Sequence, residues 1–216
     1  LSSGGEALVY TGTSPADADW AIVGIYRIGE PIGRRNTVKV ANELYVITKA
    51  GYIPMSQVAG MGEAAQNAAL SDRIRGAVLT AADKTASTFG WQPVFYPRGN
   101  YMLVNVPLST TIYHQHVVNV ATGAWCRFTG QNMACWCVFN GRLYAGGTNG
   151  VVYKADDGYE DNGEPIQGDA IPAWNYLEAP GTMKRVNMVR VVGKTPNGTA
   201  SYALDVRVDF DEDVAS

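Results

Sequence analysis

The chain has 216 residues, 46% of them hydrophobic, with 24 glycines and a net charge of −3 at pH 7. That apolar share over that length supports one large or two smaller packed domains and excludes a disordered or collagen-like chain. Lys and Arg are scattered, so no continuous basic face for duplex DNA is read, and no apolar run reaches the roughly 18 residues needed to span a bilayer.

The first segment, GGEALVYTGT, carries Gly5, Leu8, Val9 and Tyr10 and reads as the second half of a β-hairpin, so the sequence is expected to open in mid-unit. ANELYVITKAGYIPMS follows as a full hairpin, with Asn42 before Leu44, Tyr45 and Val46, and Gly51 before Tyr52 and Ile53. From Glu63 to Asp83 the residues are mostly good helix formers. Leu70, Ile74, Ala77, Val78 and Ala81 recur at intervals of three and four, which predicts one amphipathic helix near residues 70–83. Ser71 or Asp72 is the expected N-cap, and Gly76 weakens the middle. The apolar stripe is expected to pack on its own domain. The solvent side, with Asp72, Arg73 and Arg75, is the interface candidate.

Residues 91–156 alternate strands and turns. TFGWQPVFYPRGNYMLVNVPL gives two strands around Pro-Arg-Gly-Asn, and HQHVVNVATGAWCRFTG two more around Ala-Thr-Gly. MACWCVF leads into NGRLYAGGTNGVVYKADDG, where Gly146, Gly147 and Gly150 follow an apolar run as they would in a phosphate-cradling loop. A phosphate loop feeds a helix, whereas Gly150 is followed by the strand formers Val151, Val152 and Tyr153. A hairpin is therefore expected, with Asn149-Gly150 in a type I′ turn and no nucleotide bound. It echoes the earlier hairpin without a gap: Leu143 matches Leu44, Tyr144 matches Tyr45 and Gly150 matches Gly51. Repeated strand hairpins predict an all-β fold, a β-propeller segment over residues 1–158 that is an incomplete ring, with the one helix inserted.

DGYEDNGEPIQG is acidic and glycine-rich. Asp156, Asp157, Glu160, Asp161 and Glu164 lack the spacing of a calcium loop, and residues 159–169 read as a solvated linker. Residues 170–216 are expected to be further β strands continuing into absent sequence, since MKRVNMVRVVG and ASYALDVRVDF alternate around the turn Thr195, Pro196, Asn197, Gly198.

His114 and His116 share one face of a strand, as do Cys135 and Cys137, so two adjacent strands of this kind can in principle hold zinc. The competing use is as core residues, since the spacing lacks the turns of ordinary zinc motifs. Cys126 has no obvious disulfide partner, and a nucleophile–base pair of Cys126 with His114 needs tertiary convergence. Asp209 and Asp211 form a carboxylate pair in a terminal stretch that reads as solvated. No catalytic motif, cofactor site or metal site is expected.

The run FYPRGNYMLVNVP, then HQHVVNVATGAWCRFTG, then MACWCVFNGRLYAGGTNGVVYKADDG resembles a pattern in tail proteins of tailed bacteriophages. In that pattern a strand ends in Asn-Val-Pro, an Asn-x-x-Thr-Gly-Ala-Trp-Cys turn follows, and a Phe-Asn-Gly-x-Leu-Tyr hairpin closes the unit. GIYRIGEPIGRRNTVKVANELYVITKAGYIPMS before it and WNYLEAPGTMKRVNMVRVV after it resemble the same proteins in the same order. The chain is similar also to head-to-tail hub or nozzle proteins of short-tailed phages, including the packaged-DNA stabilisation family. The resemblance implies a structural virion protein of the tail or neck, made in the host cytoplasm, that assembles as a cyclic homo-oligomer and forms part of the DNA exit channel. It implies portal, adaptor or other tail proteins and tail fibres or a needle as partners, no cofactor and no catalytic residue. From the charge pattern any contact with genomic DNA is expected to be passive, and from the lack of a long apolar run no membrane binding is expected. The alternative is a receptor- or carbohydrate-binding propeller of the same virion, with Trp20, Trp91, Trp125 and Trp174 stacking on sugars. Core packing is the ordinary use of such residues.

Overall fold

The computed structural model describes residues 1–61, 69–166, 174–178, 181–192 and 202–206. Among the described residues strands hold 40% and helices 10%, so the β-rich class is as expected. Two units divide at residue 158, residues 1–158 and 159–216.

In the first unit every sheet is antiparallel and runs up and down in chain order. Strands β1 (Glu6–Thr11) and β2 (Ala21–Arg27) pair with each other. The next sheet is β3 (Thr37–Val40), β4 (Glu43–Thr48) and β5 (Gly51–Pro54). Helices α1 (Met55–Met61) and α2 (Arg75–Thr85) follow. Four strands make the third sheet: β6 (Gln92–Tyr96), β7 (Tyr101–Pro107), β8 (Tyr113–Asn119) and β9 (Trp125–Phe128). The last consists of β10 (Met133–Phe139), β11 (Arg142–Gly147) and β12 (Val152–Ala155). Pro93 is tolerated because β6 is an edge strand, where a missing amide donor costs no ladder bond.

These sheets stack face to face. Ala7 and Ile28, at the first sheet, meet Val46 and Ile53 of the second, with Val58 of α1 between them. Ile47 and Tyr52, from the opposite face of the second sheet, join Val78, Ala81 and Ala82 of α2 against Met102, Val104, Val106 and Val118. Beyond them Leu103 and Val117 meet Trp136, Leu143 and Ala145 of the last sheet. The β6–β9 sheet is thus covered on both faces, which explains why YMLVNVP and YHQHVVN lack the apolar–polar alternation of half-solvated strands. Strand β6 lies against both β3 and β10.

The helical region differs from expectation. Helix α1 is an addition that the sequence reading missed, and the predicted helix begins as a 3₁₀ turn at Asp72–Ile74 before α2. Its buried positions are Val78, Ala81, Ala82 and Thr85, while Ala77 is exposed. Ser71 does not cap the helix. Its hydroxyl accepts the Tyr52 amide at 3.0 Å, and the Leu70 amide donates to the Tyr52 carbonyl at 3.0 Å, so this segment covers the open edge of β5. Residues 63–68 of the predicted helix lie outside the described residues.

Turn chemistry also moved. The type I′ turn is at Asn140-Gly141, whose φ angles are 48° and 69°, rather than at Asn149-Gly150. Between β11 and β12 the Gly150 amide donates to the Gly147 carbonyl at 3.2 Å and the Gly147 amide to the Val151 carbonyl at 2.8 Å. With Gly150 alone at positive φ, 80°, this is a type I turn closed by a left-handed glycine bulge. The echoed Gly51 instead pairs with Thr48 as the first residue of β5, so equal spacing gives two different turns.

In the second unit the supposed linker contains a small hairpin, β13 (Glu160–Asp161) with β14 (Glu164–Pro165), turning at Asn162 and Gly163 with φ of 54° and 88°. No strand occurs among the described residues 174–178, 181–192 and 202–206, against the expected C-terminal strands. Alternation defines a strand only where a neighbouring strand completes the ladder. The turn at 195–198, and Asp209 with Asp211, lie outside the described residues.

Two glycines separate backbone strain from crowding. A Cβ on Gly141 meets open space, whereas one on Gly90, at φ 119°, falls 2.3 Å from Tyr113 Cε1. In urea denaturation Gly141→Ala is expected to cost about 1 kcal/mol and Gly90→Ala about 3 kcal/mol or more. Equal losses would contradict this packing.

Candidate functional site

Strand β8 carries polar side chains on both buried faces. On one, Gln115 joins Asn105 of β7. Asn105 Nδ2 donates to the carbonyls of Gly90 at 2.8 Å and Met133 at 2.9 Å. Its Oδ1 accepts Gln115 Nε2 at 2.9 Å and Trp136 Nε1 at 3.0 Å. Gln115 Nε2 also reaches the Gln131 carbonyl at 3.0 Å. Gln92 brackets the Trp136 backbone, donating to its carbonyl at 2.7 Å and accepting its amide at 3.0 Å. These amides bridge two sheets that otherwise meet through apolar contacts.

His114 and His116 occupy the opposite face. Their rings stack with centroids 4.9 Å apart, and the two Nε2 atoms lie 3.1 Å from each other. Tyr52 of β5 brings its hydroxyl within 2.8 Å of His116 Nδ1. Register places Arg127 of β9 directly opposite His116. Beneath α2 a cavity of about 350 Å³ is lined by Thr80 and Lys84 of the helix, by Leu108, and by His114, His116 and Arg127. Burial holds both imidazoles neutral, lowering His114 below its ordinary value and His116 from 6.5 to about 4, with the Arg127 charge acting in the same direction.

The sequence-predicted constellations separate in space. Strand β8 is hydrogen-bonded to β7 and β9, so the Cys-x-Cys strand β10 is not its neighbour. Cys135 and Cys137 sit in another sheet, packed beyond the Gln115 face, whereas the histidines face α2. No group of three or more His, Cys, Asp or Glu converges among the described residues. Cys126 pairs in register with Val117, which puts it on the face opposite His114, so the nucleophile–base pair does not form. All three cysteines are free thiols. The glycines at 146–150 lead into β12 rather than a helix, and Asp157 is held by Arg142 and Lys154, each at 2.5 Å.

Asp72, Arg73 and Arg75 are exposed, as the solvent side of the helical segment requires. Trp91 is buried, with Nε1 donating to the Thr85 carbonyl at 2.8 Å, and Trp125 packs on Tyr52, so neither is a surface sugar platform. Tyr52, Lys84, Asn105, Gln115 and Arg127 escaped the sequence reading. The usable signal was HQHVVN itself, three consecutive polar residues opening an otherwise apolar strand. Neither a protein-family model nor a curated protein matches the chain.

Two outcomes are expected. Replacing Asn105 by Leu leaves the donors of Gln115 and Trp136 without their shared acceptor and should cost about 3 kcal/mol in urea denaturation. A buried histidine with a lowered pKa stabilises the fold above its unfolded value, and that contribution is lost as pH falls from 6.5 through about 4. The loss attributable to His116 is roughly 3 kcal/mol. A His116→Gln variant should therefore show a shallower fall in stability between pH 6.5 and 4 than the parent, and an unchanged slope would contradict the assignment.

Proposed function

We propose that this chain is a structural part of a bacteriophage tail or neck: a β-propeller segment in a ring-like hub or nozzle that joins head to tail and lines part of the DNA exit channel. The observation that carries the reading is the succession of up-and-down sheets stacked face to face in chain order, with β6 beside both β3 and β10. Propeller blades succeed one another in this way around an axis, each covering the next.

The two outermost sheets add support. Leu8, Tyr10, Ile22 and Ile25 are exposed on the first, and Phe139 and Val152 on the last. On the first sheet Leu8 pairs with Ile25 and Tyr10 with Ile22, so these four form one exposed apolar face, the kind of surface a partner covers, and a further sheet covers it. A cyclic homo-oligomer then repeats one interface around the axis, with portal, adaptor or tail proteins and a fibre or needle as neighbours. Asp72, Arg73 and Arg75 are the surface residues offered to such a neighbour. Contact with DNA is passive, because a lining rich in Lys and Arg would hold phosphates and slow exit. The protein is not an enzyme in this reading. A carbohydrate-binding role retains only Trp20, stacked on Tyr10, and Trp174 from its proposed platforms.

Mass spectrometry and cryo-EM of the purified source particle test it. The expected result is the parent protein in the virion at ring stoichiometry between head and tail tip. A free monomer that turns over a glycan would end the proposal.

A further inference from the structure

The cavity under α2 is built from cations and neutral donors. Arg127 and Lys84 line it, both exposed, and neither makes an ion pair among the described residues. No Asp or Glu is among its lining residues. Arg127 also lies directly opposite His116 across the β8–β9 pair, a placement that gains nothing from histidine protonation, since like charges directly opposite repel.

Proton positions follow from counting partners. The Tyr52 hydroxyl is buried and has one polar neighbour, His116 Nδ1, so its proton is donated there. A neutral His116 then carries its own proton on Nε2 and gives it to His114 Nε2, 3.1 Å away. His114, also neutral, is left with its proton on Nδ1. The chain Tyr52 to His116 to His114 thus ends in one free N–H donor.

We propose that this cavity binds an oxyanion, a phosphate or carboxylate group, held by Arg127 and Lys84 with the His114 Nδ1–H and the Thr80 hydroxyl as neutral donors. Arg supplies a planar fork matched to two oxygens and Lys a point charge, the combination that recognises such groups. Thr85 does not take part, because its hydroxyl donates to the Ala81 carbonyl. A volume of about 350 Å³ leaves room for an organic remainder on the anion. This inference is independent of the phage reading.

The groups facing the histidines are Tyr52 from β5, Lys84 from α2 and Arg127 from β9, while β7 contributes only Met102, Val104 and Val106. All four donors are in place with both imidazoles neutral and His114 Nε2 occupied by the His116 proton, so binding does not await acid. The probes are inorganic sulfate and inorganic phosphate, titrated at pH 7 and constant ionic strength while the histidine ring signals are followed by NMR. Expected are saturable shifts of the His114 and His116 signals, weakened at least tenfold in Arg127→Gln and in Lys84→Gln. Both substitutions are at exposed positions, so folding is preserved. Shifts that fail to saturate, or that persist undiminished in both variants, would overturn the site. So would zinc perturbing the same signals while sulfate leaves them unmoved.

Discussion

Because the β6–β9 sheet is covered on both faces, every polar group on β7 and β8 must find a partner inside the protein. An unpaired buried polar group costs about 1–3 kcal/mol, a large part of what holds a domain of this size together. The chain meets most of that demand, differently on each face, leaving the Gln115 Oε1 atom buried without a partner. Toward the last sheet the amides of Asn105, Gln115 and Gln92 cross to backbone carbonyls and to Trp136, which fixes the register between two sheets. Toward α2 the two histidines and Tyr52 pair among themselves. Apolar packing alone tolerates sliding, whereas these bonds with defined directions do not.

The same constraint operates at the ends of the stack. Inside it, each sheet buries its faces against neighbours, and α2 fills the space between Tyr52 and the β6–β9 sheet with Val78, Ala81 and Ala82. On the outermost sheets of residues 1–158, Leu8, Tyr10, Ile22, Ile25, Phe139 and Val152 are exposed. A stack of this kind is naturally extended by one more sheet at either end, which links its packing to the ring assembly proposed for it.

The strands were legible wherever turn residues stood between β-branched and aromatic runs, as at Pro97 to Asn100 and Ala121 to Gly123. The type of turn was not, because Asn-Gly occurs at both ends of β11 and only the chain length between paired residues decides which one adopts the mirror-image turn. The helix was found by its period, but Ala77 was assigned to the buried side and the 3₁₀ start was missed, since Ser71 serves Tyr52 rather than the helix end. The His-x-His and Cys-x-Cys pairs were read correctly as same-face pairs. Their separation into different sheets was invisible, because strand order is a property of the tertiary fold. Arg127 and Lys84 joined the cavity for the same reason: register across β8–β9 and helix docking bring them there, and neither leaves a local mark in sequence.

The proposed ring depends most directly on what covers the outer face of the first sheet. A cryo-EM map of the assembled particle, resolved to side chains, tests this directly. It should show a further antiparallel sheet packed on Leu8, Tyr10, Ile22 and Ile25 as part of a closed ring. A map in which that face meets solvent, with the protein present as an isolated copy, would contradict the account.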